Sequence, residues 1–300
     1  MITKRRLALA VVGLGLTGLV SGFAPLPDVW EPSTERQIEN ISGDPKRGAY
    51  VIRTAGCIAC HTDAQNGGAE LAGGREFDTP YGVFRAPNIT PDKETGIGGW
   101  SLAMFSDALT KGLRPDGSHY YPAFPYTSYT KMADQDVTDL KAYLDSIKPV
   151  SNEVQDHDLA FPFSVREGLG IWKALYFSDG QFQPRPEKSQ AWNRGAYLVN
   201  GPGHCVECHT PRTLLGGLEA EATLEGTAKS PDGEKVPNIT NHPTAGIGQW
   251  GEMDVAFLLQ MGLTPDGDSV GGSMGEVVRD GTSHFTQDDI AAVSTYLLNP

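Results

Sequence analysis

Cysteine, methionine and basic residues are scarce in this 300-residue chain. It has four Cys, six Met, and 24 Lys and Arg against 37 Asp and Glu, so its formal net charge is −13. This charge disfavours nucleic acid as a partner. The sequence also has no nucleotide-binding motif. Every cysteine falls in one of two short motifs, so none remains for a further thiol site.

Glycine and proline, by contrast, are abundant, with 36 and 21 residues. An apolar content of 39% is ordinary for a soluble protein, so we expect many turns and ordered loops around modest regular structure. The acidic residues concentrate in the second half, which carries 9 basic and 20 acidic residues against 15 and 17 in the first. This half predicts a partner with a basic surface, although its charge also serves solubility.

The first residues form a basic start followed by an apolar run. Lys4, Arg5 and Arg6 precede an uncharged stretch, of which residues 7–24 approach the length of a membrane-spanning helix. We expect a signal-anchor helix over residues 1–27 in the inner membrane. The remainder then lies on the periplasmic side, because positive charges stay in the cytoplasm. A cleaved signal peptide is the alternative, although no clear cleavage site follows.

The four cysteines form two C-x-x-C-H motifs, Cys57–His61 and Cys205–His209. This pattern is the attachment signature of c-type haem. The two thiols of a motif (Cys57 and Cys60, or Cys205 and Cys208) bond to one porphyrin, and the adjacent His61 or His209 ligates its iron. The sequence therefore predicts two covalently bound haem c groups. A four-Cys zinc site is the alternative, but it leaves both histidines without a role.

The chain consists of two copies of one unit. Several short motifs recur 147 to 150 residues later, which indicates a domain duplication rather than a solenoid. The pairs are Arg47–Tyr50 with Arg194–Tyr197, Pro87–Thr90 with Pro237–Thr240, Gly96–Gly98 with Gly246–Gly248, Trp100 with Trp250, and Gly112–Gly117 with Gly262–Gly267.

Each unit is predicted to be mainly α, so that the chain holds two tandem cytochrome c-type haem domains. Gly112 and Gly262 follow amphipathic segments and are expected to cap helix ends. The predicted helices cover residues 44–55, 100–110 and 134–146 in the first unit, and 192–200, 250–261 and 286–298 in the second.

The predicted domains are residues 28–150 and 192–300, joined by a strap over residues 151–191. The strap has no counterpart within a single unit, and it contains one amphipathic helix near Gly170–Phe177. Its aromatic residues either cover the interface between the domains or form a docking or membrane-facing surface.

A haem iron held by one His needs a second axial ligand or stays open for chemistry. Met274, expected in a loop, is the candidate for the second haem. An offset of 150 places Phe124 at the equivalent position, but the final helices align at an offset of 153, which pairs Met132 with Phe285. Met132 is therefore predicted as the metal ligand of the first haem, with His119 as its rival.

The remaining sulfur and imidazole side chains are given no role in ligation. Met104, Met253 and Met261 fall within predicted helices, where core packing is the expected use of methionine. The other histidines are expected to be packed or solvated, and they are His157, His204, His242 and His284.

Residues 44–300 resemble the cytochrome c subunits of membrane-bound bacterial dehydrogenases that oxidise alcohols, gluconate or sorbitol. The likeness rests on the C-x-x-C-H motifs and on APNITPDKETGIGGW, GLRPDGSHYYPAFPY and GGSM. It implies electron transfer from a dehydrogenase or quinol to a soluble cytochrome or terminal oxidase, with no catalytic residues in this chain. A dihaem peroxidase is the alternative, which needs an open iron, and a thiosulfate-oxidising haem enzyme is disfavoured because it needs a further cysteine.

Overall fold

The computed structural model describes residues 29–33, 35–228, 230 and 233–299, so the predicted signal-anchor over 1–27 lies outside the described residues. The fold is mainly helical, as predicted. Within the described ranges, no helix has the length and apolar character needed to cross a membrane. The helices are α1 (Pro45–Thr54), α2 (Cys57–His61), α3 (Leu102–Lys111), α4 (Tyr126–Tyr129), α5 (Asp134–Ser146), α6 (Leu169–Tyr176), α7 (Gln190–Asn200), α8 (Cys205–His209), α9 (Glu252–Met261), α10 (Gly272–Asp280) and α11 (Gln287–Leu298).

A small antiparallel sheet, which the sequence did not predict, ties the strap to the first half. Its strands are β1 (Glu76–Thr79), β2 (Gly82–Arg85) and β3 (Asp158–Leu159), in the order β1-β2-β3. Within the hairpin Glu76 pairs with Arg85, and the strap strand joins through Leu159 opposite Gly82. The start of the strap is therefore hydrogen-bonded to the first half.

The repeated Arg-Gly-Ala-Tyr motif permits a close crossing of two helices in each half. Helix α1 packs on α5, and α7 packs on α11. A Cβ atom on Gly48 would lie 2.0 Å from the backbone oxygen of Asp139, and one on Gly195 would lie 2.0 Å from that of Ala292. Only glycine allows the backbones to come this close, which accounts for its recurrence in both copies.

The ends of the predicted helices agree with the structure to within two residues. Ser101 begins α3 with a hydroxyl that accepts from a backbone N–H, and Ser189 does the same for α7. Gly112 and Gly262 end α3 and α9 with positive φ angles of 61° and 69°. Both predicted glycine caps are therefore confirmed.

Each half has its own cluster of buried apolar side chains, here called the first core and the second core. The first core is built from α1, α3 and α5 and includes Cys57 and Met132. The second core is built from α7, α9 and α11, with Cys205 and Met274 packed against it. The domain boundaries drawn from the sequence stay a prediction.

Two tyrosines, one from each copy of the repeat, reach across to the opposite half. The Tyr50 hydroxyl donates to the carboxylate of Asp289 at 2.6 Å. The Tyr197 hydroxyl donates to the carboxylate of Asp136. Tyr50 and Tyr197 occupy equivalent positions of the repeat, and so do the two acids, so the halves make the same contact in both directions.

The strap contains the predicted amphipathic helix, α6, and touches both halves. Phe177, at its end, packs edge-on against Tyr126 of the first half and lies 5.3 Å from the ring of Trp30. The indole of Trp172 donates to the backbone oxygen of Leu215 in the second half. These contacts support the interpretation in which the strap aromatics cover the junction between the halves.

Candidate haem sites

Both C-x-x-C-H motifs form a single helical turn, α2 and α8. Residues three and four positions apart share one face of a helix, so each turn presents two thiols and an imidazole together. All four cysteines are in the thiol form. This donor set matches the covalent attachment of haem c: two sulfurs for the porphyrin and one nitrogen for the iron.

The motif histidines are oriented by the same hydrogen bond in both halves. Nδ1 of His61 lies 2.7 Å from the backbone oxygen of Pro87, and Nδ1 of His209 lies 2.8 Å from that of Pro237. A carbonyl oxygen only accepts, so Nδ1 carries the proton and Nε2 keeps its lone pair. Metal-bound histidines are usually held in this way.

Burial favours the neutral form of both imidazoles. Burial lowers the pKa of His61 and of His209, although the proline carbonyl that accepts from each ring opposes the effect. A neutral imidazole is the form that ligates a metal. The residues of both motifs therefore fit a c-type haem.

The repeated Pro-Asn-Ile-Thr motif explains how these carbonyls are placed. The side-chain oxygen of Asn88 accepts from the backbone N–H and the hydroxyl of Thr90, and Asn238 does the same for Thr240. Each asparagine thereby fixes the turn that begins at its preceding proline. The repeat thus encodes a histidine and the loop that orients it.

Met132 lies in the first core, in the same cluster as Cys57 of the first haem motif. Its side chain is completely buried, and Phe124 packs against the same cluster. Arg36 holds the turn in place, because its guanidinium donates to the backbone oxygens of Met132 and Thr130. His119, the rival ligand, packs instead edge-on against Trp30.

Met274 lies against the second core, but the prediction of its local conformation was wrong. The sequence pattern predicted a loop here, whereas Met274 belongs to the first turn of α10. The half-buried Met274 and the buried Phe285 both contribute to the second cluster. Each core therefore contains one methionine and one phenylalanine of the predicted exchange, while iron ligation by Met132 and Met274 stays a prediction.

The expectation of core packing for the other helical methionines is wrong. Met104, Met253 and Met261 are 43%, 69% and 65% exposed. In α9 only Val255 and Leu259 are fully buried, so the helix packs along one narrow side. These three methionines are therefore surface residues.

The described cysteines do not assemble a zinc site. Across the part of the chain that the structure describes, no three His, Cys, Asp or Glu side chains are grouped closely enough to hold a metal ion. Cys57 and Cys205 instead belong to different apolar clusters. The four-Cys alternative is therefore not supported.

Glu207, inside the second haem motif, is a residue whose role the sequence did not reveal. Its buried carboxylate accepts from Ser128 at 2.8 Å and from the neighbouring Thr127, both in α4 of the first half. Arg212 also donates to it at 2.8 Å. The only signal was an acidic residue where the first motif has Ala59. Glu207 fastens the second motif to the first half.

Comparison with known proteins agrees with these features. The family model described as Cytochrome c matches residues 45–148. The chain is 42% identical to a diheme cytochrome c-type protein of Cereibacter sphaeroides, over 86% of both chains. It is 40% identical to the cytochrome c subunit of an alcohol dehydrogenase (quinone) of Gluconacetobacter polyoxogenes, over 84% of this chain and 55% of that protein. It is 38% identical to the gluconate 2-dehydrogenase cytochrome c subunit of Pantoea cypripedii, over 84% and 58%.

The relatives differ in length. The chain spans most of the diheme protein but only about half the length of the alcohol, fructose and gluconate dehydrogenase subunits it matches. A cytochrome c domain carries covalently bound haem c, which accords with the donor set of both motifs. The chain therefore belongs to the cytochrome c family, among the relatives of a diheme c-type cytochrome and of the cytochrome c subunits of alcohol, fructose and gluconate dehydrogenases.

Proposed function

We propose that this chain is a dihaem cytochrome c with two tandem haem domains, which moves electrons and does no bond chemistry. The observation that carries the proposal is the repeated geometry of the two motif histidines, each hydrogen-bonded to a proline carbonyl. When bound, each haem supplies one-electron exchange at its iron. His61 with Met132, and His209 with Met274, would hold the two irons, and two axial ligands close an iron to substrate.

The proposed electron donor is a dehydrogenase or a quinol. Several relatives are named as cytochrome subunits of dehydrogenases, which supports a dehydrogenase partner. The proposed acceptor is a soluble cytochrome or terminal oxidase with a basic surface. The acidic second half, with 9 basic and 20 acidic residues, would attract such a surface, and salt would weaken the attraction.

The proposed location is the periplasmic side of the inner membrane, with residues 7–24 as an N-terminal anchor. This proposal rests on the basic residues that precede the apolar run. Fractionation of cells that produce the full chain, before and after a carbonate wash, would test it. Recovery in the soluble periplasmic fraction would contradict the anchor.

The decisive experiment counts haem and examines the iron. The chain would be produced with a haem-attachment system, and haem per polypeptide would be measured by the pyridine haemochrome assay. Two haems, both low-spin in the oxidised and the half-reduced protein, are the expected result. One haem per chain would contradict the dihaem assignment. A high-spin iron with peroxide turnover would favour the peroxidase alternative.

A further inference from the structure

The two haem motifs meet at a pair of equivalent residues, Gly56 and His204. Each directly precedes the first cysteine of its motif, and each has a positive φ, 64° for Gly56 and 40° for His204. A Cβ atom on Gly56 would lie 3.1 Å from Nε2 of His204. The beginnings of the two motifs are therefore in direct contact.

His204 occupies a backbone conformation that favours glycine. The first copy of the repeat has glycine here, whereas the second keeps an imidazole at the cost of strain. Strain of this kind persists where the surrounding structure fixes the residue, and it concentrates at functional sites. The contacts of the imidazole therefore indicate which function accompanies the strained backbone.

The imidazole of His204 is one part of a chain of contacts between the motifs. Its ring lies 5.6 Å from that of Tyr129, edge to face. The Tyr129 hydroxyl donates to the backbone oxygen of Ala55 at 2.5 Å. Ala55 lies two residues before Cys57, and His204 lies one residue before Cys205. Tyr129 and His204 thus join the two attachment segments.

Among the residues that the structure describes, this bridge has no counterpart on the other side of the repeat, and hydrogen bonds hold it in place. Thr282 is the residue aligned with Tyr129 when the final helices are matched, so the second half has no equivalent aromatic side chain. Helix α4, which ends at Tyr129, is fastened to the second motif through Ser128 and Glu207. Tyr129 itself is only 4% exposed. Water is therefore largely excluded from the aromatic side of the junction.

We propose that Tyr129 and His204 are positioning residues for electron exchange between the two haem groups. The haem groups that the two motifs would hold would supply the chemistry, in which one electron would pass from a ferrous iron to the ferric iron of the other haem, with no bond or proton transferred. The two side chains fill the junction with packed atoms and fix the spacing of the motifs. This inference rests on the dihaem function proposed above.

The test uses the holoprotein carrying both haems, with the variants His204→Gly and Tyr129→Leu. Electron equilibration between the haems would be followed after rapid one-electron reduction by pulse radiolysis. We expect each variant to slow it about tenfold, equivalent to about 1.4 kcal/mol of activation free energy. Tyr81→Leu, which alters a half-buried tyrosine packed against the strap residue Phe163, is the control and should leave the rate unchanged.

Urea unfolding separates this role from simple packing. Glycine relieves the strain of the left-handed backbone and so offsets the packing lost with the imidazole, and His204→Gly should therefore unfold at about the same urea concentration as the wild type. A loss of stability with an unchanged exchange rate would overturn the proposal. His204→Asn serves if the glycine variant fails to load haem, because asparagine also tolerates this conformation.

The number of haems per chain distinguishes failure of the dihaem function from failure of the role given to Tyr129 and His204. A wild-type protein with one haem would contradict the dihaem function itself. Two haems in every variant, with exchange as fast as in the wild type, would contradict only the role of Tyr129 and His204.

Discussion

The hydroxyl of Tyr197 donates to the carboxylate of Asp136, and this contact closes the interface between the halves of the chain. The same hydroxyl accepts from the backbone N–H of Ala133 at 3.1 Å. At the equivalent place in the other half, Tyr50 accepts from the backbone N–H of Thr286, also at 3.1 Å. Each tyrosine therefore serves the first turn of the opposite half's last helix, α5 or α11.

The two tyrosines should differ in their contribution to stability. Asp289 retains two bonds of 2.7 Å from Arg194 when Tyr50 is changed to Phe, so we expect a loss of about 1 kcal/mol. Asp136 has no such ion pair within the described residues, and Tyr197→Phe should cost about 3 kcal/mol. Urea unfolding of the two variants measures the difference. Equal losses would show that the arginine does not compensate.

The contributions of Asp136 and Asp289 to stability should respond to pH in opposite directions. Burial raises the pKa of Asp136. For Asp289, burial acts in the same direction, but hydrogen bonds from Arg194 and Tyr50 outweigh it, and the pKa is lowered. The contribution of Asp136 is therefore present below its unfolded pKa and is lost as pH rises towards its folded pKa. The contribution of Asp289 is present above its unfolded pKa and is lost as pH falls through its folded pKa.

Unfolding free energies of Asp136→Asn and Asp289→Asn, measured from about pH 3 to about pH 7, test these signs. Relative to that of the wild type, the free energy of unfolding of Asp136→Asn should increase as pH rises. The free energy of unfolding of Asp289→Asn should decrease, relative to that of the wild type, over the same range. Parallel curves for the two variants would contradict the assignment.

The glycines at the helix crossings should be equally intolerant of alanine in both halves. The added Cβ of Gly48→Ala or Gly195→Ala would lie 2.0 Å from a backbone oxygen, so the helices must separate. We expect each to cost about 3 kcal/mol or more, at the upper end of overpacking effects. A Cβ atom on Gly99 would meet no such neighbour within 4 Å, and Gly99→Ala should change stability by less than about 0.5 kcal/mol. Urea unfolding of the three variants provides the comparison.

The methionine assignments can be tested without creating cavities. Leucine has nearly the volume of methionine, so Met132→Leu and Met274→Leu should each cost less than about 1.5 kcal/mol. Each should nevertheless abolish the Met–iron charge-transfer band of one haem and lower that haem's reduction potential. Met104→Leu, at an exposed position, is the control. An undiminished band in either of the first two variants would remove that residue from the ligand set.

The sequence predicted the helices and the haem motifs well, because both depend on local patterns. Capping residues and periodic apolar positions fix helix ends within a few neighbours, as Gly112 and Gly262 illustrate. The C-x-x-C-H spacing likewise lies within one helical turn. The repeat added information that a single copy lacks, because matching the final helices of the two units pairs Met132 with Phe285.

Features that depend on distant contacts were not predicted. Helix α9 was predicted to be amphipathic, but apolar residues lie on nearly all of its sides, so its pattern contained no indication that Met253 and Met261 face solvent. Two glycines before Met274 suggested a loop, yet they stand at the start of α10. The contact between His204 and Tyr129 spans 75 positions of sequence, and no local pattern encodes it.

Tyr50 and Tyr197, which each contact the opposite half, also constrain how this sequence can evolve. Loss of either acid, Asp136 or Asp289, leaves a tyrosine hydroxyl of the other half without its acceptor. Substitutions at Tyr50 should therefore accompany substitutions at Asp289, and substitutions at Tyr197 should accompany those at Asp136. Each copy supplies one tyrosine and one acid to these contacts and depends on the other copy for both partners. Each has become the obligatory complement of the other, and a homologue that lost one copy would have to replace both contacts.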